Sequence, residues 1–343
     1  MDKRALIVLL SLLLLLVALP IGVHASSWLS SALAGGVSSA AVAEDVELVG
    51  QIGGAMQAVF VQGNRAYVGE GSKLAILDVS NPSAPTMLGR TNAWPDVVQG
   101  VYVVGNYAYV AAGTAGLRIV NVADPANPVE VGNVPLQSDE SALRVTVIGS
   151  YAYVVYFAEA NGFLIVNISN PAAPTISGRY RADSNYTVLG TTLSGMAVTG
   201  NYAYLAGTYS GLSLVNITNP AQPATVRKLS EVTNYPTDVA IVGNYAFVTT
   251  LGFGGGGSLF VLDVSSPMTP TLVGAYPFYD HRRLTTEGNY AYLLRPDAKQ
   301  LTALHIADPT APQRVGVYGL AEGPADVAVA GGLAYVANGR AGL

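Results

Sequence analysis

The chain has 343 residues and a formal net charge of −5; half its residues are hydrophobic and 11% are charged, against roughly 25% charged in an average soluble domain. The absence of cysteine excludes disulfides, thiolate metal sites and a cysteine nucleophile. An acidic balance without a basic stripe argues against a nucleic-acid partner.

The first element reads as an address. Asp2-Lys3-Arg4 precedes an unbroken apolar run from Ala5 to Leu19, Pro20 interrupts it, and Val23-His24-Ala25 has the small residues a signal peptidase reads. The run is shorter than the roughly 20 residues a spanning helix needs. Residues 1–25 are therefore expected to be a secretory signal, making the protein secreted or cell-surface. Membrane contact would come only through that signal, if it stays uncleaved. Residues 26–44, rich in Ser, Ala, Gly and Val, read as a flexible spacer.

Residues 45–343 form one repeat domain. A Gly-Asn-Tyr-Ala-Tyr-like phrase opens at Gly63, Gly105, Gly149, Gly200, Gly243, Gly288 and Gly331, with gaps of 42, 44, 51, 43, 45 and 43 residues. A period in the low forties with four short strand-like runs per unit predicts an all-β fold, a β-propeller of four-stranded antiparallel blades. In the second repeat, an alternating run from Asp96 to Val103 is the expected inner strand, and Gly105-Asn106 the tight turn. Tyr107 to Ala111 and Leu117 to Val122 are expected to be the next two strands. Asp124-Pro125-Ala126-Asn127-Pro128 then leads into an outer strand at Val129 to Gly132. The same turn recurs at Asn81, Asn170, Asn219, Ser266 and Asp308. Its chemistry is an Asx or Ser side chain bonding the backbone two residues on, with Pro fixing φ. That explains these loops without calcium.

The third strands Leu74-Ala75-Ile76-Leu77-Asp78, Leu117-Arg118-Ile119-Val120-Asn121, Leu164 to Asn167, Leu212 to Asn216 and Leu259 to Asp263 resemble LVIVD repeats over about residues 45–343. That resemblance implies a propeller in a bacterial or archaeal surface or secreted protein, with no defined enzymatic activity. The sixth repeat departs from the pattern, with Leu301-Thr302-Ala303-Leu304-His305 lacking the acidic end.

Val46-Glu47-Leu48-Val49-Gly50 resembles the outer strand, so the N-terminal strand is expected to close the ring. The seventh repeat stops at Ala341-Gly342-Leu343, which matches the start of a third strand, Ala115-Gly116-Leu117. Six complete blades and an incomplete seventh are expected, in a chain truncated at its C-terminal side.

Function is expected on the face carrying the blade connectors. Acids gather there, including Asp96, Asp139, Glu140, Asp183, Glu231, Asp238, Asp280, Glu322 and Asp326. Asp96, Asp238 and Asp326 each follow a Pro just before an inner strand, and that recurrence favours a structural job, satisfying backbone amides, over catalysis. Asp280-His281-Arg282-Arg283, beside Tyr279, is the densest charged cluster and a candidate for gripping an anionic group. Trp94 is a candidate for carbohydrate or partner contact, or alternatively a packed plug. Asp139 and Glu140 complete the ligand-binding candidates. No catalytic residue, metal site or cofactor is assigned. The leading expectation is a non-catalytic exported scaffold that binds a protein or glycan at the cell surface. The alternative is a glycan hydrolase or lyase using the acids of the connector face.

Overall fold

In the computed structural model, which describes residues 47–158, 161–182, 193–207, 211–232, 235–252, 256–278 and 282–343, each of the first six repeats becomes a four-stranded antiparallel sheet. Blade 1 is β1 (Met56–Gln62), β2 (Arg65–Glu70), β3 (Lys73–Asp78) and β4 (Thr86–Arg90); blade 2 is β5 (Gly100–Val104), β6 (Tyr107–Ala111), β7 (Leu117–Asn121) and β8 (Val129–Val134). Blade 3 is β9 (Ser141–Ile148), β10 (Tyr151–Phe157), β11 (Gly162–Asn167) and β12 (Thr175–Arg181). Blade 4 is β13 (Leu193–Thr199), β14 (Tyr202–Gly207), β15 (Gly211–Asn216) and β16 (Ala224–Leu229). Blade 5 is β17 (Tyr235–Val242), β18 (Tyr245–Leu251), β19 (Gly257–Asp263) and β20 (Thr271–Phe278). Blade 6 is β21 (Arg283–Glu287), β22 (Tyr290–Arg295), β23 (Gln300–His305) and β24 (Gln313–Gly319). The seventh repeat contributes β25 (Asp326–Ala330) and β26 (Leu333–Ala337) as a two-stranded sheet. Inner strands touch their neighbours in turn, and β25 touches both β21 and β1, so the ring is closed. Among the described residues every regular element is a strand.

The repeated phrase has a physical reason at each letter. The hairpin glycine holds a positive φ between 53° and 62° in all seven repeats. In the first six the next residue, Asn or Ser150, does not, the geometry of a type II′ turn, whereas in the seventh Gly332 follows with φ 77°, the pattern of a type I′ turn. The second aromatic of the phrase is driven into the blade-to-blade interface: Tyr67, Tyr109, Tyr153, Tyr204 and Phe247 are all buried. Tyr67, for example, packs with Ala58 and Leu74 of its own blade against Val101 and Val110 of the next. The Asn or Asp ending the third strand accepts the N–H two residues on, from Asp78 to Ser80, Asn121 to Ala123 and Asn216 to Thr218. The turn Asx does the same one step later, as Asn81 does for Ser83 and Asp308 for Thr310. His305 cannot take that role, and its ring packs on Tyr290 instead, with centroids 5.3 Å apart.

Blades also lock at the rim. Gly132 of β8 lies against the Pro171 carbonyl of the next blade's turn, and Gly89, Gly178 and Gly274 repeat the contact with Pro125, Pro220 and Pro309. A Cβ at any of them would overlap a carbonyl oxygen. Blade 4 solves the same problem differently: Arg227 stands in the glycine's place and its Nη1 donates to the Met268 carbonyl at 2.9 Å. Gly132→Ala is expected to destabilise the protein by about 1–3 kcal/mol through this overlap. A urea midpoint unchanged from the parent would show that the rim contact is loose.

Closure follows the same grammar. The Ile52 N–H donates to the Leu343 carbonyl and the Leu343 N–H to that of Ile52, both at 2.9 Å, while the Met56 N–H donates to Gly339 at 2.9 Å. Leu117 pairs with Val134 in the same way between β7 and β8. Gly50 packs on the Pro82 carbonyl as Gly132 does on Pro171. The N-terminal segment therefore occupies the outer-strand position of the seventh blade.

Candidate functional site

Counting back five residues from each hairpin glycine gives Ala58, Gly100, Arg144, Gly195, Asp238, Arg283 and Asp326. Strand pairing supports the equivalence, since each faces the residue six beyond its glycine: Arg144 opposite Val155, Asp238 opposite Thr249, Arg283 opposite Leu294 and Asp326 opposite Ala337. One layer around the axis thus holds two arginines and two aspartates, with three small residues completing it.

Asp238 is 2% exposed. Its Oδ1 and Oδ2 accept from Arg144 Nη1 and Nη2, both at 2.9 Å. Oδ1 also accepts the Val239 N–H at 2.9 Å, and Oδ2 the Leu284 N–H of blade 6 at 3.1 Å. Four donors fill the roughly four acceptor positions of a carboxylate. Burial pushes this acid up from its ordinary value, and the Arg144 guanidinium and the two N–H groups oppose that shift. The ion pair joins blade 3 to blade 5, so blade 4 must make room. It does so with Gly195, where a Cβ would sit 2.5 Å from the Asp238 Cα.

Asp326 makes the equivalent staple from blade 7 to blade 1, its Oδ2 accepting the Val59 N–H at 3.1 Å. Burial pushes its carboxyl up to about 6, against the charge of Arg144 and the N–H groups of Val59 and Val327. A carboxyl raised on folding holds its proton more tightly in the folded than in the unfolded chain. The contribution of this one carboxyl to stability is therefore fully present below the unfolded value of 3.8 and is lost as pH rises through about 6. Asp326→Asn keeps an acceptor for Val59 and removes the charge. It is expected to flatten that slope and add about 1–2 kcal/mol at neutral pH. Denaturant unfolding of both proteins across this range checks it; parallel pH curves would contradict it.

Asp96 does not belong to this layer, which corrects the expectation that it shares a repeated position with Asp238 and Asp326. It lies nine residues before Gly105, ahead of β5, which starts only at Gly100. It accepts the N–H groups of Val97 at 2.7 Å and Thr114 at 2.8 Å and the Thr114 hydroxyl at 3.0 Å. Those bonds, Thr114's N–H foremost, hold it below the usual carboxylate range. It closes a loop within its own blade.

The remaining candidates do not converge. Trp94 is buried on the blade 1–2 connector, its Nε1 donating to Glu130 Oε2 at 2.6 Å, so it is a plug and offers no exposed ring. Glu140 is 2% exposed, paired with Arg179 and accepting the Gln137 N–H at 3.1 Å. Arg179 in turn lies over the Tyr156 ring, 5.1 Å from its centroid. This acid is structural where a ligand contact was expected. Asp139 is exposed beside it. Arg282 is exposed and pairs with Asp297 at 3.2 Å, whereas Arg283, its neighbour, turns to the axis. Tyr279, Asp280, His281 and Asp183 lie outside the described residues. Among the described residues no group of three or more His, Asp or Glu side chains is arranged to hold a metal ion.

Below the charged layer the axis holds a cavity of about 340 Å³ lined by Arg144, Arg283 and Asp326 and, two residues along the strands, by Tyr102, Thr146 and Thr285. Phe60 also lines it, its ring centroid 4.8 Å from that of Tyr102. Arg144 carries no motif of its own in the sequence. The constant offset from the hairpin glycine was the signal that finds it.

Solved structures share the architecture. A computationally designed protein, Ika8, superposes with a TM-score of 0.60 at 11% identity, covering 86% of this chain and 97% of its own. A Bacteroides fragilis protein provisionally named a 6-phosphogluconolactonase gives 0.61 at 10% identity, covering 79% and 85%. Saccharomyces cerevisiae Sqt1 gives 0.59 at 9%, covering 84% and 95%. At such identities these similarities concern the fold alone. Among curated proteins no sequence matches. The LVIVD repeat profile matches residues 53–93, 97–135, 140–182, 193–230, 235–277 and 324–343, leaving out the sixth repeat, where His305 breaks the pattern. These matches cover well over half of the sequence, and the chain belongs to the LVIVD repeat family.

Proposed function

We propose that this protein is an exported, non-catalytic propeller that serves as a binding scaffold at the cell surface or outside the cell. The observation that carries the reading is how its acids are used. Asp238 and Asp326 accept N–H groups of the next blade, and Asp96 and Glu140 accept donors within their own blades. General acid–base work needs a carboxyl within reach of a substrate proton. Carboxylates committed to holding blades and loops in place instead support a rigid frame that presents its connectors to a protein or glycan. The apolar leader from Ala5 to Leu19 supports export.

One observation favours a second reading, a glycan hydrolase or lyase. Asp326 borders the axial cavity and its carboxyl is raised to about 6, which suits a general acid. A panel of glycosides, lactones and esters separates the two. The scaffold reading expects no turnover above the blank; turnover that vanishes with Asp326→Asn establishes the enzyme.

A further inference from the structure

The axial cavity carries chemistry beyond what joins the blades. Arg144, Arg283 and Asp326 line it, whereas Asp238, bound to Arg144, does not. The wall therefore presents two guanidinium groups to one carboxylate. Arg144 directs two N–H groups at Asp238, of the five a guanidinium has, and its side chain is 22% exposed. Arg283 donates Nε to the Ala325 carbonyl at 3.1 Å, which fixes the plane of its guanidinium at the cavity edge. A fixed guanidinium plane matches the two oxygens of a carboxylate.

The next layer is neutral and rich in hydroxyls. Thr146, Thr285 and Tyr102 lie two residues further along their strands, about 7 Å deeper at the rise of a β-strand. Phe60 and Tyr102 add aromatic surface on one side. The volume of about 340 Å³ lies at the small end of the roughly 300–1,000 Å³ of ligand sites. An ionic end, a hydroxylated middle and an aromatic flank describe a single acidic sugar ring better than a peptide or a nucleotide.

We propose that the axial cavity binds a compact hydroxylated carboxylate of the uronic-acid class. Its carboxylate sits on Arg283 and Arg144, and its hydroxyls bond Asp326, Thr146 and Thr285. This rests on the binding reading and gives it a ligand class.

Isothermal titration of the purified full chain tests it, with glucuronate and galacturonate as probes and glucose and galactose as their uncharged counterparts. At least one acid is expected to bind with a Kd of about 1 mM or tighter, and the neutral sugars at least roughly tenfold more weakly. Arg283→Gln is expected to weaken the acid by roughly tenfold or more, and Thr146→Val, which leaves the ionic layer intact, by a few-fold. No heat with either acid, equal binding of the neutral sugars, or unchanged affinity in both variants overturns the assignment. Product spectra recorded after each titration keep the two readings apart. Consumption of the sugar overturns the scaffold reading, whereas absent binding without turnover removes only the cavity's ligand.

Discussion

Asp238→Ala is expected to lower the stability of the folded ring by about 3–5 kcal/mol, the range for breaking one side of a buried ion pair. Three separate losses combine at this position. The Arg144 guanidinium keeps its charge in a half-buried layer with its bidentate partner gone. The N–H groups of Val239 and Leu284 lose their acceptor, and a buried donor without one costs about 1–3 kcal/mol. A cavity also opens over Gly195, whose missing side chain makes room for this carboxylate. Because the pair links blade 3 to blade 5 and the Leu284 bond extends it to blade 6, the loss falls on the ring as a whole. Urea unfolding followed by circular dichroism reads the effect as a shift in midpoint. A change below about 1 kcal/mol would place Asp238 among ordinary surface acids.

Trp94→Ala is the second large effect, expected at about 3–5 kcal/mol. The indole is 8% exposed and packs with Ala58, Leu74, Val98 and Val110, where blades 1 and 2 meet. Its Nε1 donates to Glu130, whose other oxygen takes Arg118 Nη1 at 3.0 Å, so a connector residue is tied to the outer strand of blade 2. Its backbone N–H donates to the Ser72 carbonyl at 2.8 Å. Trp94→Phe retains much of the packing and loses the indole bond, so a smaller cost of about 1 kcal/mol is expected. Equal stabilities for the parent and Trp94→Ala, with altered glycan or protein binding, would return this residue to the role of an exposed contact.

The ring was legible in the sequence because one local grammar repeats. A glycine tolerating positive φ, an aromatic three positions past the Asn, an Asx-Pro turn and a glycine in the outer strand each do a local job, and the period assembles them. Closure was legible too, since Gly50 stands in the same motif as Gly132 and makes the same contact. The axial layer was harder. Arg144 and Arg283 follow a connector without any Pro-Asp signature, and their meeting with Asp238 and Asp326 depends on register, which the neighbouring residues conceal. Asp96 carried the Pro-Asp signature and lies elsewhere, because the connector before β5 is spaced differently from those before β17 and β25. Glu140 looked like an exposed connector acid; only the fold brings Arg179, from the outer strand of the same blade, over it.

The claim on which the rest depends is that the charged layer joins blades across the axis. A thermodynamic cycle with Arg144→Met, Asp238→Leu and the double substitution measures that joining directly. The double variant is expected to be less destabilised than the sum of the two single ones, by a coupling of about 2 kcal/mol or more. A coupling within about 0.5 kcal/mol of zero would mean that the two side chains do not meet, and the axial layer would not exist as described.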